Sequence, residues 1–467
     1  MNRNVIILAA GKGTRMKSDL PKVLHQVGGK AMVELVLDTS VAAGANRIVT
    51  VVGHGGAAVA ELLAGRSEFA EQKEQLGTAH AIRMTEPILG DSTGTTIIMS
   101  GDAPLFTVDT INSLFDYHAQ SGNAVTVLTA LAPNPKGYGR IVRTADGSDV
   151  LRIVEQKDAN VAEQAINEVN TGVYAFDNQL LFTALREVKN DNAQGEYYLP
   201  DTLEILRNAG HTVGAFTMAD FDESMGVNDR VALAQANAVI RKRINEQHMR
   251  NGVTMIDPTN TYIDVDVKIG SDTIIEPNVY IKGKSVIGKH VTITTGSRIV
   301  DSVIEDNVVI DASRLDQAQM QTNSDAGPFA HLRPKAILEA GAHVGNFVEL
   351  KNARLGKDSK MGHLSYAGDA EIGREVNIGA GTIFVNYDGI HKHATTVGDR
   401  AFIGSNTKLI APVHLADETI TAAGSTITDD LPLHAMGIAR ARQTTKPDFW
   451  QRTPLFEKFG AIDERKH

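Results

Sequence analysis

Cysteine is absent from the 467 residues of the chain. Its absence excludes disulfide bonds, thiolate metal sites and cysteine nucleophiles. Long apolar runs are missing too: no stretch is long enough to span a bilayer, and the start lacks the charged and apolar regions of a signal peptide. We therefore expect a soluble, cytoplasmic protein without a membrane partner.

Positive charge is in deficit, because 46 lysines and arginines face 56 aspartates and glutamates, which gives a net charge of −10. This balance argues against nucleic acid as a partner. An anionic small-molecule substrate would then require local clusters of Lys and Arg. The length and an apolar content of 42% permit two or three domains, each with its own core.

The second half of the chain carries a regular ladder of branched apolar residues. One falls at every sixth position, whereas a helix requires a spacing of about 3.6 and a sandwich strand a spacing of about two. A hexapeptide period is typical of a parallel β-helix, in which stacked coils bury one another's apolar faces. The longest run is Ile263, Ile269, Ile275, Ile281, Ile287, Ile293 and Ile299, and shorter runs follow at Ile304 and Ile310, Leu332 to Leu350, Val397 to Leu415, and Ile427 and Leu433.

Three hexads would make one coil, so residues eighteen apart would lie on neighbouring strands about 4.8 Å apart. By this arithmetic Arg333 stacks on Lys351, and Ser405 stacks on Ala423. Two stacked cations destabilise a fold unless an anion lies between them, so the first pair predicts a phosphate site; two solvated cations on an edge are the alternative. The polar segment Asp311 to Gly327 breaks the period and predicts a loop or a distorted coil.

The first half alternates strands with helical patterns, which predicts a doubly wound sheet. Asn4 to Ala9 is a buried strand by this pattern, and ligands bind beyond the carboxyl ends of such strands. Asp102 follows another strand, where a carboxylate could hold Mg²⁺ or act as a turn or cap residue. Further strands are predicted at Arg47–Gly53, Thr95–Gly101, Ala124–Ala132, Thr171–Phe176 and Val213–Met218.

A glycine-rich turn follows the first strand. Met16 stands where a dinucleotide fingerprint requires glycine, and the P-loop pattern is absent. The glycines still allow a ligand to approach the backbone closely, and Lys12, Arg15 and Lys22 supply charge for a triphosphate. The alternative is a tight strand–helix turn with solvated basic residues.

Eight motifs in a fixed order give the first half a family resemblance. It resembles the nucleotidyltransferase half of the bacterial bifunctional N-acetylglucosamine-1-phosphate uridylyltransferase / glucosamine-1-phosphate N-acetyltransferase. The resemblance implies a Rossmann-like uridylyltransferase domain over residues 1–228, a helical linker over 229–250 and a left-handed β-helix with a C-terminal tail over 251–467. The motifs are LAAGKGTRM with Lys22, EQLGTAHA, SGDAPL, GYGRIV, IVEQKDA, NTGVY, NAQGEYYL and GVNDR.

The resemblance also implies roles for single residues of this half. Arg15 and Lys22 would neutralise phosphates during catalysis, and Asp102 and Asn228 would hold Mg²⁺. Ser100 stands where the family often has tyrosine. The residues implied for nucleotide and sugar binding are Leu8, Ala9, Ala10, Gly11, Lys22, Gln72, Gly77, Thr78, Ser100, Gly101, Asp102, Gly139, Glu155, Asn170 and Asn228.

The segment around His363 resembles the acetyltransferase motif of the same family. The resemblance implies that His363 is the general base for an amine that attacks the thioester of acetyl-CoA. The hexad phase is interrupted from Val385 to Gly389, which predicts a protruding loop. The implied acceptor-binding residues are Arg333, Lys351, Tyr366 and Asn377, and the implied acetyl-CoA contacts are Ala380, Asn386, Tyr387, Ser405, Ala423 and Arg440.

The resemblance implies a cytoplasmic enzyme with two activities. Acetyl transfer from acetyl-CoA to glucosamine 1-phosphate would precede Mg²⁺-dependent uridylyl transfer from UTP to N-acetylglucosamine 1-phosphate, and the product would feed peptidoglycan and, in some bacteria, lipopolysaccharide. Because the acetylation residues would follow one edge of the prism, a neighbouring prism in a homotrimer would complete a concave site. Two alternatives remain open: a monofunctional sugar-nucleotide pyrophosphorylase with a regulatory or oligomerising β-helix, and a β-helical scaffold protein.

Overall fold

The computed structural model describes residues 2–145, 147, 149–192 and 194–461. Within these residues, no helix combines the length and the apolarity needed to cross a bilayer. The chain divides into two compact units. The first comprises the chain up to Asn251 with Asp257–Val267 and Ile281–Gly283, and the second comprises Gly252–Ile256, Lys268–Tyr280 and the chain from Lys284 onward.

A mixed sheet forms the centre of the first unit. The strands of this part of the chain are β1 (Arg3–Ala9), β2 (Gln26–Val27), β3 (Lys30–Ala31), β4 (Arg47–Val52), β5 (Glu68–Glu71), β6 (Thr95–Ser100), β7 (Val125–Leu131), β8 (Arg140–Arg143), β9 (Val150–Val154), β10 (Glu168–Asp177) and β11 (Val213–Met218). The main sheet has the order β11-β7-β10-β6-β1-β4-β5, with β8 and β9 attached beside β10. All six strands predicted from the sequence are present, and β10 runs antiparallel to its neighbours β6 and β7.

Helices cover both faces of this sheet. One apolar core lies beneath α1 and α5, and the other lies beneath α3, α7 and α8. Such a layered arrangement is that of a doubly wound fold. The helices of the chain are α1 (Met32–Ala42), α2 (Gly56–Leu62), α3 (Thr78–Arg83), α4 (Glu86–Leu89), α5 (Val108–Ser121), α6 (Val161–Gln164), α7 (Asn178–Glu187), α8 (Asp201–Asn208), α9 (Arg230–Arg250) and α10 (Pro454–Phe459).

The register of two neighbouring strands places the predicted phosphate turn beside the predicted metal ligand. β1 and β6 are parallel, with Leu8 opposite Ser100. Beyond this pair, the Gly101 N–H donates a hydrogen bond of 2.9 Å to the Leu8 carbonyl. The turn that contains Gly11 and the carboxylate of Asp102 therefore leave the sheet at the same edge, where α/β sheets bind ligands.

The helix predicted over residues 229–250 is α9. The Asp229 side chain caps its first turn by accepting hydrogen bonds from backbone N–H groups. α9 belongs to the first unit. Its Asn237 side chain accepts a hydrogen bond from Gly28 N–H at 3.1 Å, and its Asn245 side chain donates one to the Pro258 carbonyl at 2.7 Å. These contacts hold the helix against two separate segments of the unit.

The second unit is a stack of coils made of short parallel strands, so the predicted parallel β-helix is confirmed. Ile275 pairs with Ile293, eighteen residues on, and both side chains are fully buried. The strands that follow α9 along the chain are β12 (Thr254–Met255), β13 (Thr261–Ile263), β14 (Lys268–Ile269), β15 (Ile274–Ile275), β16 (Val279–Lys282), β17 (Val286–Ile287), β18 (Thr292–Ile293), β19 (Arg298–Val300), β20 (Val303–Ile304), β21 (Val309–Ile310), β22 (Arg314–Asp316), β23 (Gln319–Met320), β24 (Asp325–Ala326), β25 (His331–Leu332), β26 (Ile337–Leu338), β27 (His343–Asn346), β28 (Glu349–Leu355), β29 (Lys360–His363), β30 (Tyr366–Ile372), β31 (Asn377–Ile378), β32 (Ile383–Val385), β33 (Thr395–Val397), β34 (Phe402–Ile403), β35 (Lys408–Ile410), β36 (Val413–Leu415), β37 (Ile420–Thr421), β38 (Thr426–Ile427) and β39 (Met436–Gly437).

The strands stack in columns that form the faces of the prism. One face is a separate sheet with the order β12-β15-β18-β21-β24-β27-β29-β31-β34-β37-β39. The other strands of the second unit form two further columns within one sheet, and the long strands β28 and β30 take part in both columns.

The polar segment 311–327 is a coil and not a loop. It contributes β22, β23 and β24, and its buried residues Leu315, Met320 and Ala326 continue the apolar columns. They pair with Ile299, Ile304 and Ile310, each sixteen residues earlier. The coil has shortened corners, so the hexad period is distorted while the stacking is kept.

The interruption after Val385 is a protruding loop, as predicted. Ile372 pairs with Val397, twenty-five residues on, so this coil exceeds an eighteen-residue coil by seven residues. The His393 N–H closes the loop on the Asn386 carbonyl at 2.9 Å. Inside the loop, Tyr387 and Lys392 form an antiparallel bridge.

Candidate active sites

A cavity of about 300 Å³ opens at the edge of the first unit where β1 and β6 end. It gathers residues from the glycine-rich turn, from the start of α3 and from the end of β6. The predicted residues that line it are Leu8, Ala9, Ala10, Gly11, Lys22, Gln72, Gly77, Thr78, Ser100 and Asp102, and the residues that the sequence did not single out are Gly13, Val23, Gln75, Ala81, Glu196 and Tyr198.

Lys22 links the two predicted metal ligands. Its ammonium forms an ion pair with Asp102 Oδ2 and donates a hydrogen bond of 2.8 Å to Asn228 Oδ1. Arg15 donates to the same Asn228 oxygen at 2.8 Å, and Ser100 Oγ donates to Asp102 Oδ1 at 2.5 Å. Two of the three cations that the sequence assigns to phosphate, Arg15 and Lys22, therefore converge on the Asp102–Asn228 pair.

The oxygens of Asp102 and Asn228 form a donor set that fits Mg²⁺. This ion prefers oxygen ligands, and proteins bind it through one or two carboxylates together with substrate phosphates and water. A cationic group, the Lys22 ammonium, already lies against both oxygens. The described part of the chain contains no group of three or more His, Cys, Asp or Glu side chains that could hold a metal. Substrate phosphates would therefore have to complete the coordination of Mg²⁺ here.

The loop before α3 fixes several polar groups of the cavity. Gly77 has a φ of 106°, and a Cβ there would collide with the backbone of Tyr197, so glycine is required. Thr78 Oγ1 accepts a hydrogen bond from Leu199 N–H at 3.0 Å. The Gln72 side chain is buried, and its Nε2 donates to the Gly77 carbonyl at 3.1 Å. This side of the cavity is therefore held rigidly.

The three predicted sugar-binding residues meet near the ends of β8, β9 and β10, outside the lining of the cavity. Asn170 N–H donates to the Gly139 carbonyl at 2.9 Å, and a Cβ on Gly139 would lie 3.3 Å from Glu155 Oε1. Asn170 Nδ2 donates to Tyr174 Oη at 2.8 Å. Burial raises the pKa of the Tyr174 phenol, so this hydroxyl stays neutral and holds the asparagine.

A buried guanidinium supports the same cluster. Arg140 is 2% exposed and donates to the Tyr138 carbonyl and, at 2.7 Å, to Gln156 Oε1. Gly137 N–H donates to the same glutamine oxygen at 3.0 Å. Arg140 therefore ties the segment before β8 to the segment after β9, which carry Gly139 and Glu155 respectively.

In the second unit, Arg333 and Lys351 lie on adjacent coils, as their spacing predicted. Arg333 N–H donates to the Leu350 carbonyl at 2.8 Å, and the Arg333 guanidinium pairs with Glu349 at 2.8 Å. The structure adds Lys392 from the protruding loop. Its ammonium, together with Arg333, lowers the pKa of Lys351. Three cations against the two carboxylates of Glu349 and Asp369 leave this exposed cluster with a net positive charge, which favours a phosphate ligand.

His363 lies at a corner of the β-helix beside Asn346. The two residues are register partners, and His363 Nδ1 is 2.7 Å from Asn346 Oδ1. From His363 onward the corner is built from small residues, and backbone hydrogen bonds of 2.7–3.2 Å connect its successive coils. This strip has no bulky side chain in its predicted acetyl-CoA positions, which are Ala380, Ser405 and Ala423.

The protruding loop has one predicted residue facing inward and one facing solvent. Asn386 is 8% exposed and donates to Asp369 at 2.6 Å, and Asp369 also accepts a hydrogen bond from Asn352 at 2.6 Å. Tyr387 is 56% exposed. Arg440, just beyond β39, is exposed as well. Tyr387 and Arg440 are therefore accessible to a ligand, although the Tyr387 hydroxyl already donates a hydrogen bond of 2.6 Å to the Gly389 carbonyl.

Asn377 does not share a face with the other predicted acceptor residues. It lies in β31 and pairs with Lys360 and Phe402 in the separate sheet. Tyr366 and Lys351, by contrast, belong to the sheet that contains the other two faces. The acceptor-binding residues of one chain are thus divided between two sheets of the prism.

Several residues of both sites were missed by sequence reasoning. Glu196 and Tyr198 fall within the motif NAQGEYYL, so the motif could have indicated them. Asn346 could have been found by counting one coil back from His363. Lys392 sits in a loop outside the repeat, and no spacing rule could have placed it.

Comparison with known proteins finds two matching family models and several relatives that match over nearly the whole chain. Residues 4–241 match the nucleotidyl transferase family, and residues 266–300 match the bacterial transferase hexapeptide family of six repeats. A protein of Lactobacillus johnsonii named bifunctional protein GlmU is 58% identical over 455 residues, which cover 97% of this chain and 98% of that protein. The GlmU of Pediococcus pentosaceus is 57% identical over 467 residues with complete coverage of both chains, and that of Streptococcus suis is 54% identical over 454 residues, with 97% and 98% covered.

Proposed function

The chain belongs to the bifunctional GlmU family, and we propose how its residues carry out the two reactions of UDP-N-acetylglucosamine synthesis. It is both an N-acetyltransferase and a uridylyltransferase, and its product serves cell-wall synthesis. Full-length similarity to proteins named bifunctional argues against a monofunctional pyrophosphorylase and against a scaffold. We assign uridylyl transfer to residues 1–228 and acetyl transfer to residues 251–467, with residues 229–250 as the helical connection.

The observation that carries the uridylyl assignment is the convergence of Lys22, Arg15, Asp102 and Asn228 at one edge of the sheet. UTP binds in the cavity with its triphosphate along the Gly11 turn. A phosphate oxygen of N-acetylglucosamine 1-phosphate attacks the α-phosphorus, and the bond to the β-phosphate breaks. Pyrophosphate leaves with the bonding electrons, so no covalent enzyme intermediate is needed.

Positioning and charge neutralisation supply most of the rate in this reaction. Arg15 and Lys22 neutralise phosphate oxygens, and Gly139, Glu155 and Asn170 bind the sugar. Asp102 and Asn228 would hold Mg²⁺, which, when bound, neutralises charge on the phosphates.

Acetyl transfer uses the corner strip that begins at His363. The phosphate of glucosamine 1-phosphate binds Arg333, Lys351 and Lys392, with Tyr366 beside the sugar. The amine attacks the thioester carbonyl of acetyl-CoA, the C–S bond breaks, and His363 takes the amine proton and passes it to the thiolate. Because Nδ1 of His363 faces Asn346, Nε2 is the base. Acetyl-CoA lies along Ala380, Ser405 and Ala423, with Asn386, Tyr387 and Arg440 as further contacts.

We propose that a homotrimer completes this site. A face of the prism carries Asn377, and the same face exposes the apolar side chains Phe402, Ile420 and Met436. A second prism packed on that face would bring one chain's Asn377 toward its neighbour's acceptor cluster. Because UTP and acetyl-CoA are intracellular metabolites, we also assign the enzyme to the cytoplasm.

The test separates the two activities by mutation. Asp102→Ala is expected to abolish uridylyl transfer and to leave acetyl transfer near the wild-type rate. His363→Ala is expected to lower acetyl transfer by roughly 10²–10⁴-fold while uridylyl transfer persists. The matched controls are Asp116→Ala and His414→Ala, which remove exposed side chains away from both sites. Loss of both activities in either folded variant would overturn the assignment.

A further inference from the structure

The amide nitrogen of Gln72 is fully committed within the cavity wall. Nε2 lies 3.1 Å from the Gly77 carbonyl oxygen and 3.1 Å from His80 Nδ1. The side chain is 3% exposed. A primary amide nitrogen has two hydrogens, and each of them points at one of these partners. The Oε1 atom is therefore the group that Gln72 can offer to a ligand.

The orientation of this amide follows from chemistry. A carbonyl oxygen can only accept, so Gly77 requires the nitrogen of Gln72 and not its oxygen. The second hydrogen then requires an acceptor, so His80 is protonated on Nε2 and accepts at Nδ1. Reversal of the amide would place two acceptors face to face at Gly77. The pair Gly77 and His80 therefore locks Gln72 as an acceptor.

Both locking groups are themselves held in place. Ala79 N–H donates to the Tyr197 carbonyl at 2.9 Å, and Tyr197 N–H donates to the Leu76 carbonyl at 2.8 Å, so the Gly77 peptide is pinned from both sides. The Tyr197 ring lies 6.3 Å from the His80 ring. Arg83 covers the Tyr197 ring at 4.6 Å. His80 therefore has a packed, pre-set position beside Gln72.

A fixed acceptor selects bases by their donors. Uracil in a nucleotide has a single N–H, at N3, whereas cytosine has a lone pair at N3. We propose that His80 is a specificity-determining residue, which holds Gln72 Oε1 as an acceptor for the N3–H of the base and so favours UTP over CTP. This inference rests on the proposed binding of UTP in the cavity and extends it to a residue that does not itself touch the nucleotide.

His80→Leu removes one of the two acceptors of Nε2, so reversal of the amide, which would turn Nε2 toward N3 of cytosine, becomes less costly by one hydrogen bond, although the Gly77 carbonyl still opposes it. We expect the ratio of kcat/KM for UTP to that for CTP to fall by about tenfold, the factor that corresponds to one hydrogen bond of ~1.4 kcal/mol. His80→Asn keeps an acceptor close to the position of Nδ1 and should preserve the ratio. 5-Methyluridine triphosphate keeps its N3–H, so its rate relative to UTP should stay the same in every variant.

The experiment measures two ratios in the full-length wild type, His80→Leu and His80→Asn: that of kcat/KM for UTP to kcat/KM for CTP, and that of the rate with 5-methyluridine triphosphate to the rate with UTP. Acetyl transfer is measured in the same proteins as a check on the second unit. A UTP-to-CTP ratio that is unchanged in His80→Leu overturns the inference, and so does an equal fall in both variants. If His80→Leu has no uridylyl activity, the wild type is assayed with N3-methyluridine triphosphate instead. A kcat/KM as low as that for CTP, or lower, supports the inference, and a kcat/KM close to that for UTP overturns it. Absence of uridylyl transfer in the wild type would instead refute the proposed function.

Discussion

Replacement of Lys22 by methionine tests whether the Lys22 ammonium occupies the position at which Asp102 and Asn228 would bind a metal ion. Lys22 and Asp102 have side chains that are 15% and 17% exposed, so their ion pair is largely withdrawn from water. Removal of one partner of a buried pair costs about 3–5 kcal/mol, and the residual exposure here reduces our expectation to about 2 kcal/mol. Without metal, Lys22→Met should therefore lower the free energy of unfolding of the first unit by that amount.

Metal affinity should move in the opposite direction. A cation that binds Asp102 and Asn228 in the wild type must first displace the Lys22 ammonium from both oxygens. A hydrogen bond to a charged group contributes about 1.5 kcal/mol, which is roughly a tenfold change in an equilibrium constant. We expect Lys22→Met to bind Mn²⁺ about tenfold more tightly in the absence of nucleotide, although it loses uridylyl transfer.

The assay is a titration of Mn²⁺ followed by electron paramagnetic resonance, combined with thermal unfolding with and without Mg²⁺. Lys17→Met, an exposed lysine of the same turn, is the matched control and should behave as the wild type. Mn²⁺ binding to Lys22→Met that is equal to or weaker than that of the wild type would refute the idea that the ammonium and the metal compete for these oxygens.

Two further predictions concern the second unit. Ile420 is 43% exposed on the face that carries Asn377, so Ile420→Lys should yield a monomer that lacks acetyl transfer but keeps uridylyl transfer. Val303 is 47% exposed outside that face, so the control variant Val303→Lys should remain trimeric. Sedimentation and both assays on the same fractions test this, and an Ile420→Lys monomer with full acetyl transfer would refute the shared site. Lys392→Met should raise the thermal stability at neutral pH, because it removes a charge that repels the Lys351 ammonium. The lowered pKa of Lys351 means that this repulsion opposes folding at every pH below that pKa and fades as the pH rises toward the ordinary value of 10.5. The same variant should raise KM for glucosamine 1-phosphate relative to the control Lys408→Met, and an unchanged KM together with unchanged stability would exclude Lys392 from the phosphate site.

The fold followed from the sequence wherever one physical rule dominated. The six-residue period predicted the β-helix because only stacked coils bury a residue at that spacing. The rule failed over 311–327, where Leu315, Met320 and Ala326 are separated by five and six residues and only one of them is branched. Their coil still stacks, because Ile299 and Ile310 supply neighbours that a shortened coil can match.

Sequence motifs predicted which residues the candidate sites contain, but not how those residues contact one another. Motif order located Lys22, Asp102 and Asn228, yet nothing in their spacing indicates that one ammonium joins the other two. These contacts depend on side-chain directions at the ends of β6 and α9, which are set by packing far from each other in the sequence. The separation of Asn377 from Lys351 has the same origin. The number of corners that the chain turns between two strands decides on which face of the prism a residue lies, and the type of residue does not.

Backbone conformation gives a physical reason why His363 points away from the prism. The residues that follow Asn346 and His363, which are Phe347 and Leu364, have φ values of 57° and 47°, a region that bulky residues rarely adopt. Each such residue costs of order 1 kcal/mol or more, and both side chains are more than half exposed, so neither gains full burial in return. Phe329, one coil earlier, has the same conformation, and its ring stacks on Phe347 at 5.5 Å. The stacking of the coils must therefore impose these positive φ values against the conformational preference of the residues. Such departures from local preference are expected where residues of a functional site have to be held in position. The imposed turn fixes the direction of the two preceding side chains, so that Asn346 can hold His363 with Nε2 free.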